Sequence, residues 1–204
     1  MAGFQAAKHT AMIAGHFGFA AIVKSRERAV PLWALMLATQ WLDVLFVPLF
    51  VIGIEHLEPV AGTSGGYGSV IIHADYTHSL VGAALIAILS ALLAALVWNR
   101  RAAVVLGAMV FSHWLLDLVV HRGDMALLPG NLGDFARVGF GLWKAPVVSA
   151  VVELALVLAG SLLYFAAAAR AERAAGGRAH AAYVAAGLMA LSGVVTLMLN
   201  VFGY

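Results

Sequence analysis

Six long runs of apolar residues, separated by short basic connectors or glycine-rich loops, dominate the pattern of the chain. Because a helix needs about 20 apolar residues to cross a hydrocarbon core of roughly 30 Å, such runs predict membrane-spanning helices. They cover residues 10–23, 30–54, 76–98, 102–121, 147–168 and 182–202. We therefore predict an all-α integral membrane protein, in which residues 1–204 form a single transmembrane domain, a bundle of about six helices.

The first apolar run is short, and His16 interrupts it. At 1.5 Å per residue it would extend only about 21 Å, which is less than the thickness of the hydrocarbon core. The helix is therefore tilted, extended back through Ala6, or re-entrant, and a re-entrant segment would leave five spanning helices.

Two longer loops interrupt the apolar pattern. Residues 55–69 are rich in glycine, which predicts a flexible loop with turns. Residues 125–145 combine glycines and a proline with Phe135, Phe140 and Trp143. This mixture predicts a segment that lies on the membrane surface or folds back as a cap.

Composition agrees with a membrane protein, because 63% of the 204 residues are hydrophobic and only 11% are charged. A soluble domain carries about 25% charged residues. The net charge of +2 comes from short connectors, so it bears on topology and gives no reason to expect nucleic-acid binding. The absence of cysteine excludes disulfides and thiolate metal sites, which leaves histidine and carboxylates as the available ligands.

Basic residues concentrate in three connectors, at positions 24–28, 100–101 and 170–178. Since Lys and Arg accumulate in cytoplasmic loops, we expect these connectors on the cytoplasmic side of a bacterial plasma (inner) membrane. Both long loops and both termini would then lie outside.

The candidate chemistry centres on residues 112–124, which read S-H-W-L-L-D-L-V-V-H-R-G-D. His113, Asp117 and His121 stand four residues apart, and each such step rotates a helix by only about 40°, so the three side chains share one face. Ionisable groups inside a membrane span cost roughly 2.5–3.5 kcal/mol for Asp at the helix centre on insertion scales. A chain keeps such groups where they pair, bind an ion or react.

Further ionisable residues are expected at the same depth. His73, Asp75 and His78 begin the third run, which a short connector makes the neighbour of the fourth. Asp43 and His16 lie midway along the second and first runs, and Glu153 lies near the outer end of the fifth. Histidine with Asp or Glu suits zinc, iron or manganese. Since the candidates exceed the four ligands of one zinc, one or two ions are expected, with some residues holding the ligands in place.

For several of these residues, a purely structural role remains an alternative to a role in the metal site. His16 could bond to a backbone carbonyl, and Asp43 could pair with a cation or a histidine. Asp75 could cap the third helix, and Glu153 could be structural, a ligand or a general base. Arg122 could bind a phosphate or carboxylate, or it could be an interfacial anchor.

Four motifs together resemble the prokaryotic inner-membrane metal-dependent hydrolase family, of the YdjM-like type. They are G-H at residues 15–16, an aspartate late in the second run at Asp43, H-x-x-x-T-H-S at residues 73–79, and S-H-x-x-x-D at residues 112–117. The resemblance implies hydrolase activity and a metal site formed by His16, Asp43, His73, His78, His113 and Asp117.

The sequence thus leads us to expect a membrane-embedded, metal-dependent hydrolase with its site in the outer half of the membrane. Zinc is the expected cofactor, as one or two ions, with iron or manganese as alternatives, and His121 is a further ligand. Glu153 or Asp75 would act as the general base, and Arg122 would bind substrate. The partners are the bilayer and a lipidic or amphipathic small molecule, cleaved by metal-activated water; a homo-oligomer is left open.

Three other functions remain open at this stage. The His/Asp chain could conduct ions or protons, or two histidines could be the axial ligands of a haem. The chain could also be a small binding or chaperone subunit.

Overall fold

A computed structural model describes residues 13–63, 66–178 and 180–202 of the chain. Seven α-helices form within these residues, and they follow the apolar runs, with the second run divided between two helices. They are α1 (Ile13–Lys24), α2 (Leu32–Thr39), α3 (Trp41–Val51), α4 (Leu80–Val97), α5 (Arg100–Val120), α6 (Pro146–Ala174) and α7 (His180–Phe202). Positions 10–12 of the first run, and the chain's first and last residues, lie outside the described residues.

Three helices, α4, α5 and α6, are long and apolar enough to cross a membrane. The bent pair of α2 and α3 counts as a fourth if it is one broken span, whereas α1 and the apolar part of α7 (Ala182–Met198) are shorter. The described residues therefore contain three or four candidate spans, fewer than the six predicted. Large apolar side chains remain exposed along α4, among them Leu92 at 62% and Leu96 at 82%, which is compatible with contact to lipid.

The second apolar run is broken at Gln40, where the backbone leaves helical geometry (φ −107°, ψ 5°). Helix α3 departs at 46° to α2. Because Thr39 is the last residue of α2, its carbonyl is one of the terminal groups that lack an intrahelical partner. The break thus makes a backbone acceptor available inside the bundle and redirects Asp43, in the first turn of α3.

Residues 55–69 contain part of a two-stranded antiparallel hairpin, β1 (His56–Pro59) with β2 (Val70–His73), in which His56 pairs with His73. The all-α prediction therefore describes the apolar runs but not this loop, for which we expected turns alone. The apolar, β-branched sequence of β2 favours a strand. The hairpin lies directly before His78 in the chain and occupies the same end of the bundle as the candidate ligands.

Close helix contacts depend on glycine. A Cβ at Gly18 of α1 would lie 2.6 Å from the carbonyl carbon of Leu156 in α6, and one at Gly107 of α5 would lie 2.7 Å from the Cβ of Ala91 in α4. Gly15 also contacts Glu153, so α1 and α6 run side by side in the same direction. Small residues at such contacts let helix backbones approach closely.

Candidate metal centre

Helix α5 and its C-terminal end supply the first part of the site, where His113, Asp117 and His121 share one face as their spacing predicts. The Nε2 atom of His113 lies 3.0 Å from Oδ2 of Asp117, and Nε2 of His121 lies 3.6 Å from the same oxygen. Two histidines, each four residues from Asp117, therefore meet its carboxylate on one side of the helix.

Three other segments add side chains to this face. His78, which precedes α4, places its Nε2 3.1 Å from Nε2 of His113 and 3.6 Å from Oδ2 of Asp117. Asp43 of α3 places Oδ1 3.4 Å from His78 Nε2 and 3.7 Å from His113 Nε2. His16 of α1 reaches the other oxygen of Asp117 at 3.5 Å. We call His16, Asp43, His78, His113 and Asp117 the His/Asp cluster.

The hydrogen bonds on the far side of the rings determine which nitrogen atoms face the cluster. Nδ1 of His113 lies 2.5 Å from the carbonyl oxygen of Thr39, and a carbonyl can only accept, so Nδ1 carries the proton. Nδ1 of His78 lies 2.8 Å from Oγ1 of Thr77, whose hydroxyl bonds to Glu55 at 2.9 Å. Because a carboxylate accepts that hydroxyl proton, Nδ1 of His78 is the donor to Thr77. In its neutral form, each ring therefore presents an Nε2 lone pair to the cluster.

Converging lone pairs repel one another unless a cation or additional protons lie among them. The Nε2 atoms of His78 and His113 are 3.1 Å apart, with carboxylate oxygens at 3.0–3.7 Å from each. Bonds of about 2.0–2.1 Å from a tetrahedral zinc to its ligands imply ligand atoms about 3.3 Å apart. The spacing of the cluster atoms thus fits the donor set of a metal site, and two overlapping triads within it, His16–His113–Asp117 and Asp43–His78–His113, could each contribute to an ion.

Four members of the cluster are nearly inaccessible, with His16, His78, His113 and Asp117 at 1–4% exposure. The side chain of Asp43 is 34% exposed. Trp114 closes another side by donating from Nε1 to the carbonyl of His78 at 2.9 Å. The cluster is therefore open beside α3 and closed within the rest of the bundle.

His121 contacts the cluster at its edge through Nε2, and its Nδ1 atom is hydrogen-bonded on the opposite side of the ring. Its Nδ1 lies 2.8 Å from Oδ1 of Asp124, while Oδ2 of Asp124 accepts the backbone N–H of Ile72 at 2.9 Å. Trp143 covers the ring of His121 with a centroid separation of 4.7 Å. Burial acts to raise the pKa of Asp124, but the bonds from His121 and Ile72 outweigh it, so the pKa is lowered and the carboxylate stays ionised. Asp124 is a partner that we did not predict.

His73 is not brought to the cluster. It ends β2, where its ring stacks on His56 at 4.3 Å and its Nε2 lies 3.1 Å from a carboxylate oxygen of Glu58. The register of the hairpin explains this position, because His56 and His73 are direct cross-strand partners.

Asp75, proposed as a general base, is paired with Arg137 in the second long loop. Nη2 of Arg137 lies 2.8 Å from Oδ2 of Asp75, and Nη1 also bonds the carbonyl of Asp124 at 2.8 Å. The hydrogen bond to Asp75 raises the pKa of the Arg137 guanidinium. The second loop therefore folds back over this end of the bundle, which is one of the two placements that we expected for it. The ion pair with Asp75 holds the loop in this position.

Glu153, the other proposed base, is buried at 1% exposure and has both oxygens engaged. Oε1 accepts the backbone N–H of Gly15 at 2.9 Å, and Oε2 bonds to the hydroxyl of Tyr67. Since Gly15 directly precedes His16, Glu153 holds the segment that carries a cluster residue. Its contacts are those of a positioning residue.

Arg122, proposed to bind substrate, lies against the first long loop. A Cβ at Gly68 would meet its Nε at 2.8 Å and the carbonyl oxygen of Trp143 at 2.8 Å. The positive φ of Gly68 (67°) and this close approach both favour glycine there. The Nε atom of Arg122 is buried and has no hydrogen-bond partner among the described residues.

Glu55 and Thr77, like Asp124, are contributors that sequence reasoning missed. Glu55 is fully buried and accepts the backbone N–H groups of Tyr76 and Thr77 at 2.9 and 2.8 Å, besides the Thr77 hydroxyl. Thr77 belongs to the T-H-S motif, and its place beside His78 was a usable signal. Glu55 lies 22 residues from Thr77, and nothing in its neighbourhood in the sequence pointed to this bond.

Comparison of the chain with protein-family models, with curated proteins and with solved structures finds no match. The His/Asp cluster is therefore interpreted from its own geometry.

Proposed function

We propose that this chain is a membrane-embedded, metal-dependent hydrolase that acts on a lipid-linked or amphipathic substrate. The observation that carries the proposal is the His/Asp cluster, in which the Nε2 atoms of His78 and His113 face each other and two carboxylates, while a bond on the far side holds Nδ1 of each ring. Removing charges from water without compensation costs several kcal/mol per ion. A divalent cation among the donors would offset both carboxylate charges.

Zinc is the first candidate for that cation. The donors are imidazole nitrogen and carboxylate oxygen, which zinc, iron and manganese accept in proteins. His78, His113 and Asp117 would hold one ion and leave its fourth position to water. His16 reaches the second oxygen of Asp117, and a second ion would be held there. When bound, such an ion supplies Lewis-acid chemistry, because it lowers the pKa of water and polarises an acyl or phosphoryl oxygen.

Residues of the chain would position the ligands, border the substrate's approach and accept the proton from water. Thr39 and Thr77 orient the two buried rings, and Glu153 positions the segment of His16. Asp43, the partly exposed member, borders the approach to the cluster, so a substrate would enter beside α3. Of the carboxylates proposed as bases, Asp75 and Glu153 are occupied elsewhere, which makes Asp43 the better candidate to accept a proton from water at the open side.

The membrane placement is part of the proposal. The ion pair between Arg101 and Glu27, at 3.0 Å, puts the connector before α2 and the start of α5 at the same end. His113 lies about 18 Å further along α5. With the basic end in the cytoplasm of a bacterial cell, the cluster would lie in the outer half of the membrane.

Ion or proton transport is the second candidate, because Asp124, His121, Asp117 and His113 form a continuous polar chain. Below the cluster, however, the groove between α2, α4 and α5 is lined by apolar side chains and Ser90. A haem is not favoured, since the two facing Nε2 atoms at 3.1 Å leave no space for a porphyrin between them.

Metal content tests the proposal directly. We expect purified protein to carry one or two equivalents of a divalent metal by elemental analysis, and the double variant His113→Ala, Asp117→Ala to lose it. His73→Ala is the matched control, since this histidine lies on the hairpin, and it should retain the metal. Equal metal content in the double variant and the parent protein would refute the metal site.

Activity separates the two candidate functions. A hydrolase should release product from ester or phosphoester lipids, lose this activity with a chelator and regain it with zinc. In proteoliposomes loaded with a pH-sensitive dye, a transporter would instead dissipate an imposed gradient, and the double variant would not.

A further inference from the structure

An apolar groove runs along the outside of the bundle between α2, α4 and α5, with a volume of about 290 Å³. Trp33 and Trp98 lie at one end, and Trp41 lies at the other. The span from Trp33 to Trp41 corresponds to about 12 Å of helix. Ser90 is the one polar side chain among its lining residues.

The upper end of the groove lies beside the His/Asp cluster. Ala38 and Trp41 line its upper end, and between them stands Thr39, whose carbonyl oxygen accepts the bond from His113. Val110, in the floor of the groove, precedes His113 by one turn on the same face of α5. The upper end of an occupant would therefore lie about one helical turn from His113.

We infer that this groove binds one hydrocarbon chain of the substrate, whose anionic oxygen-bearing head group lies at the His/Asp cluster. The inference rests on the proposed function and specifies its substrate class: an amphipathic molecule with a single chain extending about 12 Å away from the site of reaction. An apolar groove whose upper end lies one helical turn from carboxylates and imidazoles matches both halves of such a molecule, because the chain needs no polar partner and the head group would ligate the cation.

The surface around the groove favours a lipid chain over a second copy of the protein. Along α4, apolar side chains are exposed on the groove side, as Leu93 is at 56% and Val97 at 75%, and equally away from it, as Leu85 is at 59%. This helix is thus compatible with hydrocarbon around most of its circumference. The groove differs from the rest of that surface by its concave shape and by its upper end, where Val110 lies one helical turn from His113.

Photolabelling tests the inference in protein reconstituted into phosphatidylcholine vesicles. The probe is a long-chain fatty acid with a diazirine in mid-chain, and the fatty alcohol of equal length is the neutral control. We expect the acid to label the segments around Leu37 and Leu93 in zinc-loaded protein, and labelling there to fall about tenfold after chelation, as loss of one polar anchor predicts. The alcohol should show no dependence on zinc.

Two substitutions on α4 provide the matched pair. Ser90→Phe places a ring in the groove and should abolish zinc-dependent labelling. Leu92→Phe adds a ring at a side chain that is 62% exposed, and it should leave labelling unchanged. Both variants should retain the metal content of the parent protein.

The outcomes distinguish this inference from the proposed function. Loss of metal binding in the parent protein would refute the function itself. If the metal content is normal but the extent of labelling is unchanged by Ser90→Phe or by removal of zinc, the inference is overturned and the proposed function stands. Crosslinks between peptides of two copies across the groove would assign it to an oligomer interface, which also overturns the inference.

Discussion

Two buried histidines in the cluster are each fixed in one tautomer by a bond on the side away from it. For His113 the acceptor is a carbonyl at the break between α2 and α3, and for His78 it is a hydroxyl that a buried carboxylate orients. Such outer partners orient a ligand and increase its basicity. The affinity for a metal should therefore depend on residues that do not touch it.

Thr77 provides the test at the residue scale. Thr77→Val keeps the shape of the side chain but removes the bond to Nδ1 of His78, so we expect the zinc affinity to fall about 10–100-fold. Thr77→Ser restores the hydroxyl and should restore the affinity. Competition with a chromophoric chelator measures both.

A control on the exposed loop completes this test. Thr63→Val removes a hydroxyl that bonds the carbonyl oxygens of Val60 and Ser69, so its zinc affinity should equal that of the parent protein. If Thr77→Val also binds zinc like the parent, the relay from Glu55 to His78 has no role in the site.

Sequence reasoning found the cluster residues that depend on helical spacing. The separation of His113 and Asp117 by four residues predicts a shared face, and the structure confirms it. The position of His73 on the hairpin was not predicted, because it depends on the pairing of two strands, which helical periodicity does not indicate. The roles of Glu55 and Asp124 depend on contacts between distant segments, which one sequence does not reveal.

Helices α1 and α6 set the position of His16. Their backbones approach at Gly18, where Leu156 and Val157 leave no room for a Cβ, and Glu153 bonds Gly15 one turn away. The glycine-rich sequence of α1 is thus a requirement of close packing. Helix α1 could be predicted from the apolar pattern. Its packing against α6 could not, because the pattern does not indicate which helices are in contact.

The variant Gly18→Ala tests this contact. Its Cβ would lie 2.6 Å from the Leu156 carbonyl carbon, so the helices must separate, and we expect a loss of about 1–3 kcal/mol in stability. Because α1 carries His16, zinc affinity should fall as well. Thermal unfolding in detergent and chelator competition measure the two effects.

The matched control is Gly187→Ala in α7, where a new Cβ would meet no described atom within 4 Å. Alanine favours a helix over glycine by about 1 kcal/mol, so this variant should gain stability. Equal behaviour of the two variants would contradict a close contact between α1 and α6.

At the scale of the whole molecule, the polar residues divide between two ends. One end carries the His/Asp cluster beneath the two long loops, and the other carries Glu27 with its partners. Oε1 of Glu27 accepts the backbone N–H of Ala29 at 2.8 Å, and Oε2 meets Arg101 at 3.0 Å. The apolar pattern located the basic connectors at one end, but it did not show that Glu27 joins two of these segments.

Glu27 should make the folded protein sensitive to acid at this second end. The bond from the Ala29 N–H, with the charge of Arg101, lowers the pKa of Glu27 below its ordinary value of 4.5. Its contribution to stability is therefore complete above pH 4.5 and is lost as the pH falls through the lowered pKa. Glu27→Gln should unfold at a lower temperature at neutral pH and lose less of its stability on acidification.

The exposed side chain of Arg26 in the same connector gives the comparison. Arg26→Gln should follow the acid dependence of the parent protein in the same unfolding measurements. If Glu27→Gln follows it too, the connection between the first connector and α5 does not contribute to acid sensitivity.

The bond from Glu153 to Gly15 joins residues that are 138 positions apart, and this distance has a consequence for biogenesis. A nascent chain that has inserted α1 through α5 already contains all five cluster residues, yet the bond from Glu153 to the segment of His16 forms only after α6 has left the ribosome. Complete assembly of the donor set is therefore a late, post-insertion step. Cofactor delivery would act on the nearly finished protein, and premature termination before α6 would yield a product that retains the ligands but lacks the bond that positions His16.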